Sequence, residues 1–291
     1  MNDMQGKTAV ITGGASGMGK AFAQRLGAAG MKIVIGDIEE PALAATVSEL
    51  EGAGVDALGV RTDVSQLSSM EALASAAKDR FGSVDVVALN AGVGGGTGRM
   101  DTLTTNDWQW TFGVNLYGIV NGVQAFLPDL KAADSGHMVF TASIAGHVAY
   151  PSMGPYNATK YATVAIAETL QAELTQDGSN VGVTCLCPGL VLTGIFQSER
   201  NRPEQLTDTT VATEPVDPEN ATRREAMAEM ILTHGKSAEM VADLVHDAIR
   251  DKTFWVFTDG DFDEAIANRH AAIRERQPTV VTETLLGVYD G

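Results

Sequence analysis

The sequence predicts an α/β fold, a doubly wound parallel sheet with helices on both faces. Three observations predict it: short apolar runs alternate with amphipathic stretches of helix length, the connections are short, and the runs are near-continuous rather than alternating. A strand covered by helices on both faces needs such a run, because neither face meets water.

The elements come in order. "KTAVIT" (7–12) is the first strand and "GMGKAFAQRLGAAG" (17–30) the first helix. "MKIVIGD" (31–37) is the second strand. The helix 41–54 opens on Pro41, whose fixed φ suits a first turn, and closes on Gly54. "VDALGVRTDV" (55–64), a helix over 67–82 and the strand "VDVVALN" (84–90) come next. One long helix is predicted over 105–133, then the strand "GHMVFTAS" (136–143), a helix over 156–177 and the strand "VGVTCLCPG" (181–189).

Residues 190–235 break the rhythm. They are polar and contain Pro203, Pro215 and Pro218, with a short helix expected at 219–232. Such length inside a compact domain reads as a lid, mobile without ligand because few large apolar residues offset its ordering entropy. A helix-strand-helix extension is expected over about 236–276, then a tail, 277–291. The whole chain, 1–291, reads as one domain.

Composition excludes several function classes. The 291 residues carry 37 acidic against 20 basic side chains, a net charge of −17, which disfavours nucleic acid and anionic membrane surfaces as partners. No apolar run is long enough to span a bilayer, and the first residues lack the basic start and cleavage site of a secretion signal, so a cytoplasmic location is expected. Cys185 and Cys187 share one strand face and read as buried free thiols. Asp259, Asp261, Asp263 and Glu264 lack the glycine and terminal glutamate of a calcium loop, and no metal is expected. Trp108 and Trp110, two apart on a helix, do not share a face and read as core and interface.

The candidate chemistry gathers where strands end. In "TGGASGMG", Gly13, Gly17 and Gly19 let the backbone turn tightly and approach a pyrophosphate, with Ser16 and Met18 in the same turn. Asp37 stands 20 residues beyond Gly17 at the end of the second strand, where a carboxylate accepts from ribose hydroxyls and repels a 2′-phosphate. No Arg or Lys stands at Ser16 or Ile38 to hold that phosphate, so NAD is favoured over NADP. Asp63 and Val64 end the third strand, with Asp63 placed to meet an adenine amino group. Asn90, Ala91 and Gly92 end the fourth, and Asn90 reads equally as a clamp between strands. Ser143 ends the fifth, while Pro188, Gly189 and Thr193 come after the sixth. Tyr156 and Lys160 stand four apart, on one helix face. A phenol beside an ammonium is either unremarkable surface or an acid tuned toward neutrality.

T-G-x-x-x-G-x-G, N-A-G, a serine, Y-x-x-x-K and P-G occur in that order across about residues 5–195. On these motifs the chain resembles the short-chain dehydrogenases/reductases, in their compact single-domain branch with a Rossmann-like sheet. The resemblance implies a tetrad of Asn115, Ser143, Tyr156 and Lys160. Tyr156 would be the general acid/base, its pKa lowered by Lys160 and by the nicotinamide cation. Lys160 would also hold the nicotinamide ribose, Ser143 the substrate oxygen, Asn115 a water linking Lys160 to solvent, and Thr193 the carboxamide. The C-terminal extension departs from most compact members. With the long helix and the lid, it resembles the subgroup acting on bulky aryl or hydrophobic secondary alcohols, the Cα-dehydrogenases of lignin aryl ethers. Val93, Ala145, His147, Met153, Ile195 and Phe196 are the candidate substrate contacts.

The expected function is NAD-dependent interconversion of a secondary alcohol and a ketone, in a homodimer or homotetramer assembled through the helices at 105–132 and 154–177. One alternative is a 3-ketoacyl-thioester reductase, disfavoured because its anionic substrates would meet an acidic protein with no basic cluster near the lid. The other is a non-catalytic dinucleotide-binding protein, which has no need of an acid/base pair.

Overall fold

A computed structural model describes residues 3–207 and 229–278. Seven strands form one all-parallel sheet: β1 (Thr8–Thr12), β2 (Lys32–Asp37), β3 (Ala57–Arg61), β4 (Val86–Leu89), β5 (His137–Thr141), β6 (Gly182–Cys187) and β7 (Trp255–Phe257). Their order is β3-β2-β1-β4-β5-β6-β7. The chain moves outward from β1 on one side, then restarts from β4 on the other. A crevice therefore opens at the carboxyl ends of β1 and β4, where ligands bind in such sheets.

Helices cover both faces. α1 (Gly17–Ala28), α2 (Glu40–Gly52) and α7 (Ala238–Asp251) enclose one apolar layer with Phe22, Leu26, Ile33, Ile35, Val241 and Val245 at its centre. α3 (Leu67–Phe81), α5 (Gly118–Ala133) and α6 (Gly154–Gln176) enclose the other, around Met70, Leu73, Phe126, Leu130 and Phe140. The five central strands are buried nearly end to end, as their unbroken apolar runs require, while the edge strands β3 and β7 are only partly covered. Towards the C-terminus, α7 packs on α1, β7 adds to β6, and α8 (Asp263–Glu275) closes the described chain.

The long helix predicted over 105–133 is not continuous. It divides into α4 (Thr105–Phe112), a π-helical turn over Gly113–Tyr117 and α5. A π turn adds a residue to the helical repeat and rotates the helix beyond it. Here the widened turn carries Asn115, whose side chain is bonded to the Val93 backbone in the loop after β4. In the lid, Ile195–Asn201 and Glu204–Leu206 form short 3-10 turns. Most of the helix expected at 219–232 and the tail from 279 lie outside the described residues, while 229–234 is helical.

One close approach sets the spacing between the end of β5 and α6. A Cβ on Gly146 would lie 2.7 Å from the Lys160 carbonyl oxygen and 2.8 Å from Val164 Cγ2. Gly146→Ala is expected to force the turn after β5 away from α6 and cost about 1–3 kcal/mol as overpacking does. Denaturant unfolding measures this, and an unchanged midpoint would contradict the packing described.

Candidate active site

Thr12, the last residue of β1, ties the two strands at the crevice together. Its hydroxyl accepts from the Asn90 and Ala91 amides at 2.9 and 3.1 Å. Asn90 Nδ2 donates back to the Thr12 and Gly13 carbonyls at 3.1 and 3.4 Å. The clamp reading of Asn90 is the one its contacts support, and Asn90 also lines the cavity. Gly13 and Gly17 adopt positive φ (64° and 50°), which favours glycine. A Cβ on Gly13 would sit 2.8 Å from Ala91 Cα, and one on Gly17 would sit 3.2 Å from Thr193 Cγ2 across the crevice. Gly19 does not line the cavity. It lies behind the turn, where a Cβ would strike the Gly13 carbonyl, so its contribution is close packing of helix on turn. Ser16 makes no side-chain cap on α1, which leaves the first-turn amides to an anion.

One cavity runs along this edge, lined by Gly13, Ser16, Gly17 and Met18 of the turn and by Asp37, Ile38, Asp63 and Val64 at its far end. Ala91, Gly92, Val93, Pro188, Gly189 and Thr193 line its middle. Asp37 is fixed by two amides: Oδ2 accepts from Ala15 at 3.0 Å and Oδ1 from Glu39 at 3.1 Å. A carboxylate has room for further bonds, so its acceptor capacity is not exhausted. Asp63 and Val64 fall in the turn beyond β3, where Asp63 Oδ1 accepts from the Ser65 amide at 3.0 Å and hydroxyl at 2.7 Å. A narrow, glycine-walled channel with an open helix N-terminus and a carboxylate at its end fits an adenine dinucleotide.

At the other end stand Ser143, Tyr156 and Lys160. Lys160 is buried, donates to the Thr141 carbonyl at 2.8 Å, and holds Nζ 5.5 Å from the centre of the Tyr156 ring. Burial pushes its ammonium down from 10.5 to about 8. Burial also raises the Tyr156 phenol above its ordinary value, while hydrogen bonding from Ser143 pulls the other way. In cofactor-free protein the direction is thus opposite to the lowering expected from Lys160 and the nicotinamide cation together. The loss of solvent around a phenolate outweighs any gain from a neighbouring charge. Ser143 Oγ accepts from the Ala145 amide at 3.1 Å and lies 3.4 Å from the Pro188 carbonyl.

Asn115 is bonded to the loop after β4. Its Oδ1 accepts from the Val93 amide at 2.8 Å and its Nδ2 donates to the Val93 carbonyl at 2.9 Å. The side chain is thus a clasp on the loop after β4.

Around Tyr156 the wall is apolar. Ile144, Ala145, Val148, Tyr150, Leu190, Met230, Ile231 and Phe262 form a separate cluster against which Met153 and Tyr156 pack. Ala145, Met153, Ile195 and Phe196 line the cavity as expected. His147 does not. Its Nε2 sits 3.3 Å from Cys187 Sγ and its ring packs on Trp255 and Phe257, turned away from the cavity, while burial holds the imidazole below its usual value. Both cysteines are buried free thiols. Trp110, read as core, is buried and also lines the cavity.

Sequence reasoning missed the lid's contribution. Ser198, Arg200 and Asn201 line the cavity with Glu39. The Gly94 amide donates to Ser198 Oγ at 3.0 Å, Arg200 pairs with Glu39, and Arg202 pairs with Asp107 at 2.9 Å while lying over Trp110. Residues 195–207 thus form a strap fastened on both sides of the crevice. No signal in the sequence marks such ties. Among the described residues no cluster fit to hold a metal occurs, and no helix is long and apolar enough to cross a membrane.

Comparison with known proteins fits this geometry. The family model for short chain dehydrogenases matches residues 7–204. A crystal structure of a short chain dehydrogenase/reductase from Burkholderia phymatum in complex with NAD superposes with a TM-score of 0.91, at 40% identity over 96% of this chain and 98% of that one. A dehydrogenase/reductase of CLA biosynthesis from Lactiplantibacillus plantarum is 32% identical over 92% of this chain and 93% of its own. The C alpha-dehydrogenase of a Sphingobium species is 30% identical over 94% of this chain and 87% of its own.

The buried lysine makes stability depend on pH. With a folded pKa near 8 against 10.5, Lys160 binds fewer protons in the folded than in the unfolded chain between those values. Its burial penalty is present in full below pH 8 and relieved as pH rises toward 10. The stability of Lys160→Met minus that of wild type should therefore shrink from pH 7 to pH 10, whatever the constant value of the bond to Thr141. Denaturant titrations across that range measure it, and a difference independent of pH would contradict a depressed lysine.

Proposed function

The chain belongs to the short-chain dehydrogenase/reductase family, and on that premise we propose that it is an NAD-dependent oxidoreductase interconverting a secondary alcohol and a ketone on a bulky hydrophobic or aryl substrate. The observation that carries this reading is the position of Tyr156. It stands where the glycine-walled channel meets an apolar wall, with Lys160 behind it and Ser143 beside it.

Each residue then has a role. Gly13, Gly17, Met18 and the start of α1 cradle the pyrophosphate, Asp37 accepts from the adenosine ribose, and Lys160 donates to the nicotinamide ribose. When bound, NAD supplies the hydride acceptor and, in its oxidised ring, a positive charge that favours phenolate. Tyr156 takes the alcohol proton in oxidation and returns it in reduction. Ser143 donates to the substrate oxygen as charge develops there. The Asn115 clasp on Val93 fixes the loop that faces Lys160. Ile231, Leu190, Met153 and Phe196 offer a large substrate apolar contact and exclude water, which favours an aryl or alicyclic group over a small alcohol. A C alpha-dehydrogenase among the relatives agrees with the subgroup that the sequence resembles. The protein acts as a homodimer or homotetramer, the closed symmetry usual for such chains.

Tyr156→Phe removes one oxygen and should reduce turnover by at least about 10²–10⁴-fold, the usual contribution of a general acid/base. Its NAD affinity should change little, because the phenol holds neither pyrophosphate nor adenosine. Lys160→Ala should lose turnover and NAD affinity together. A Tyr156→Phe enzyme that kept substantial activity on aryl secondary alcohols would refute the mechanism.

The burial that raises the phenol also sets a pH signature. In cofactor-free protein Tyr156 should ionise above the ordinary tyrosine value, read as its own step in ultraviolet difference titration against Tyr156→Phe. With saturating NAD, alcohol oxidation should rise with pH through an ionisation below that value. Identical values in the two measurements would show that the cofactor does not tune this group.

A further inference from the structure

The strap carries a guanidinium into the adenosine end of the cavity. Among the described lining residues, Arg200 and Lys160 are the cations, and they stand at opposite ends. Arg200 is close to the carboxylate read as the ribose acceptor, since its partner Glu39 donates its own amide to Asp37 Oδ1. A free arginine at that place would invite a 2′-phosphate, because its planar fork matches phosphate oxygens.

This arginine is already engaged. Nη2 donates to Glu39 Oε1 at 2.5 Å and Nε to Glu39 Oε2 at 3.2 Å, a two-toothed pair, while Nη1 donates to the Gln197 carbonyl at 2.8 Å. Asn201 Nδ2 also donates to Glu39 Oε1, at 2.8 Å. The same bonds hold the Glu39 carboxyl below its ordinary value, Arg200 contributing most, so the glutamate remains charged and the pair intact at neutral pH.

We propose that Glu39 is a positioning residue for cofactor choice: by engaging Arg200, it withholds from a 2′-phosphate the strap guanidinium that faces the adenosine end, and so reinforces Asp37 in excluding NADP. The inference rests on the NAD reading above. It assigns Glu39 more than the fastening of the strap. A pair that only fastens would, once broken, weaken NADH and NADPH alike, since both lie under the same segment.

The test is the binding of NADH and NADPH, by nucleotide fluorescence, to wild type, Glu39→Gln, Arg200→Ala and Glu39→Gln with Arg200→Ala. Glutamine keeps the size and a hydrogen-bonding oxygen, so the strap retains an attachment while the charge is removed. Glu39→Gln should improve NADPH binding relative to NADH by about tenfold, the effect of one charge-assisted contact, and the gain should weaken with salt. Adding Arg200→Ala should abolish it. Equal changes for both nucleotides, or a gain that survives without Arg200, would overturn the proposal. A wild-type protein that binds NADPH more tightly than NADH would refute the NAD reading itself, a different outcome seen in the same titration.

Discussion

The site depends on holding one ammonium almost wholly out of bulk solvent. Lys160 lies buried beneath Tyr156, and its charge meets the Thr141 carbonyl at the end of β5. Burying an ion is unfavourable unless it finds partners, and the cost shows in an ammonium pushed down to about 8. Everything nearby serves that placement. Gly146 lets the turn after β5 come against α6, and the Asn115 clasp ties down the neighbouring loop after β4. A dry lysine is a poor surface group but a useful one beside a phenol and a ribose, because its field is little screened there.

The other half of the crevice is organised by backbone bonds rather than charge. The Thr12 hydroxyl and the Asn90 side chain join β1 to β4 where the strand order reverses, and the Ala15 amide fixes Asp37 across the glycine turn. The two halves share a sheet edge but obey different rules. In the proposed reading, one selects an elongated anion by shape and open amides, while the other prepares a proton transfer. The strap over residues 195–207 joins them, fastened to Glu39 near one end and to Asp107 and Trp110 near the other.

Much of this is legible in the sequence, for a physical reason. Strands buried on both faces must be apolar throughout, and turns that meet a phosphate must be glycine, so the sheet, the channel and the Tyr156–Lys160 pair can be read from local pattern alone. The features that stay hidden involve partners far apart in the chain. Glu39 and Arg200 are 161 residues apart, and nothing local announces the pairing of two surface charges. The π turn at Gly113–Tyr117 is equally hidden, because the partner its Asn115 binds, the Val93 backbone, lies in a different loop. His147 misleads for a similar reason: its position beside Ser143 suggests the cavity, yet the aromatic strand β7 captures its ring. In the cofactor-free protein the Tyr156 phenol is raised, a direction hidden from the sequence because spacing reveals a neighbouring charge but not the desolvation that opposes it.

The central claim is that hydride passes between a secondary alcohol carbon and a nicotinamide ring held along this edge. It is tested most directly by offering the protein NAD and an aryl secondary alcohol deuterated at the carbinol carbon, then locating the label by mass spectrometry and NMR. The account predicts one deuterium on the reduced nicotinamide ring for each ketone formed, on one face of the ring, with none released to water. Ketone formed with the label in solvent, or no ketone across a panel of aryl and alicyclic alcohols, would contradict it.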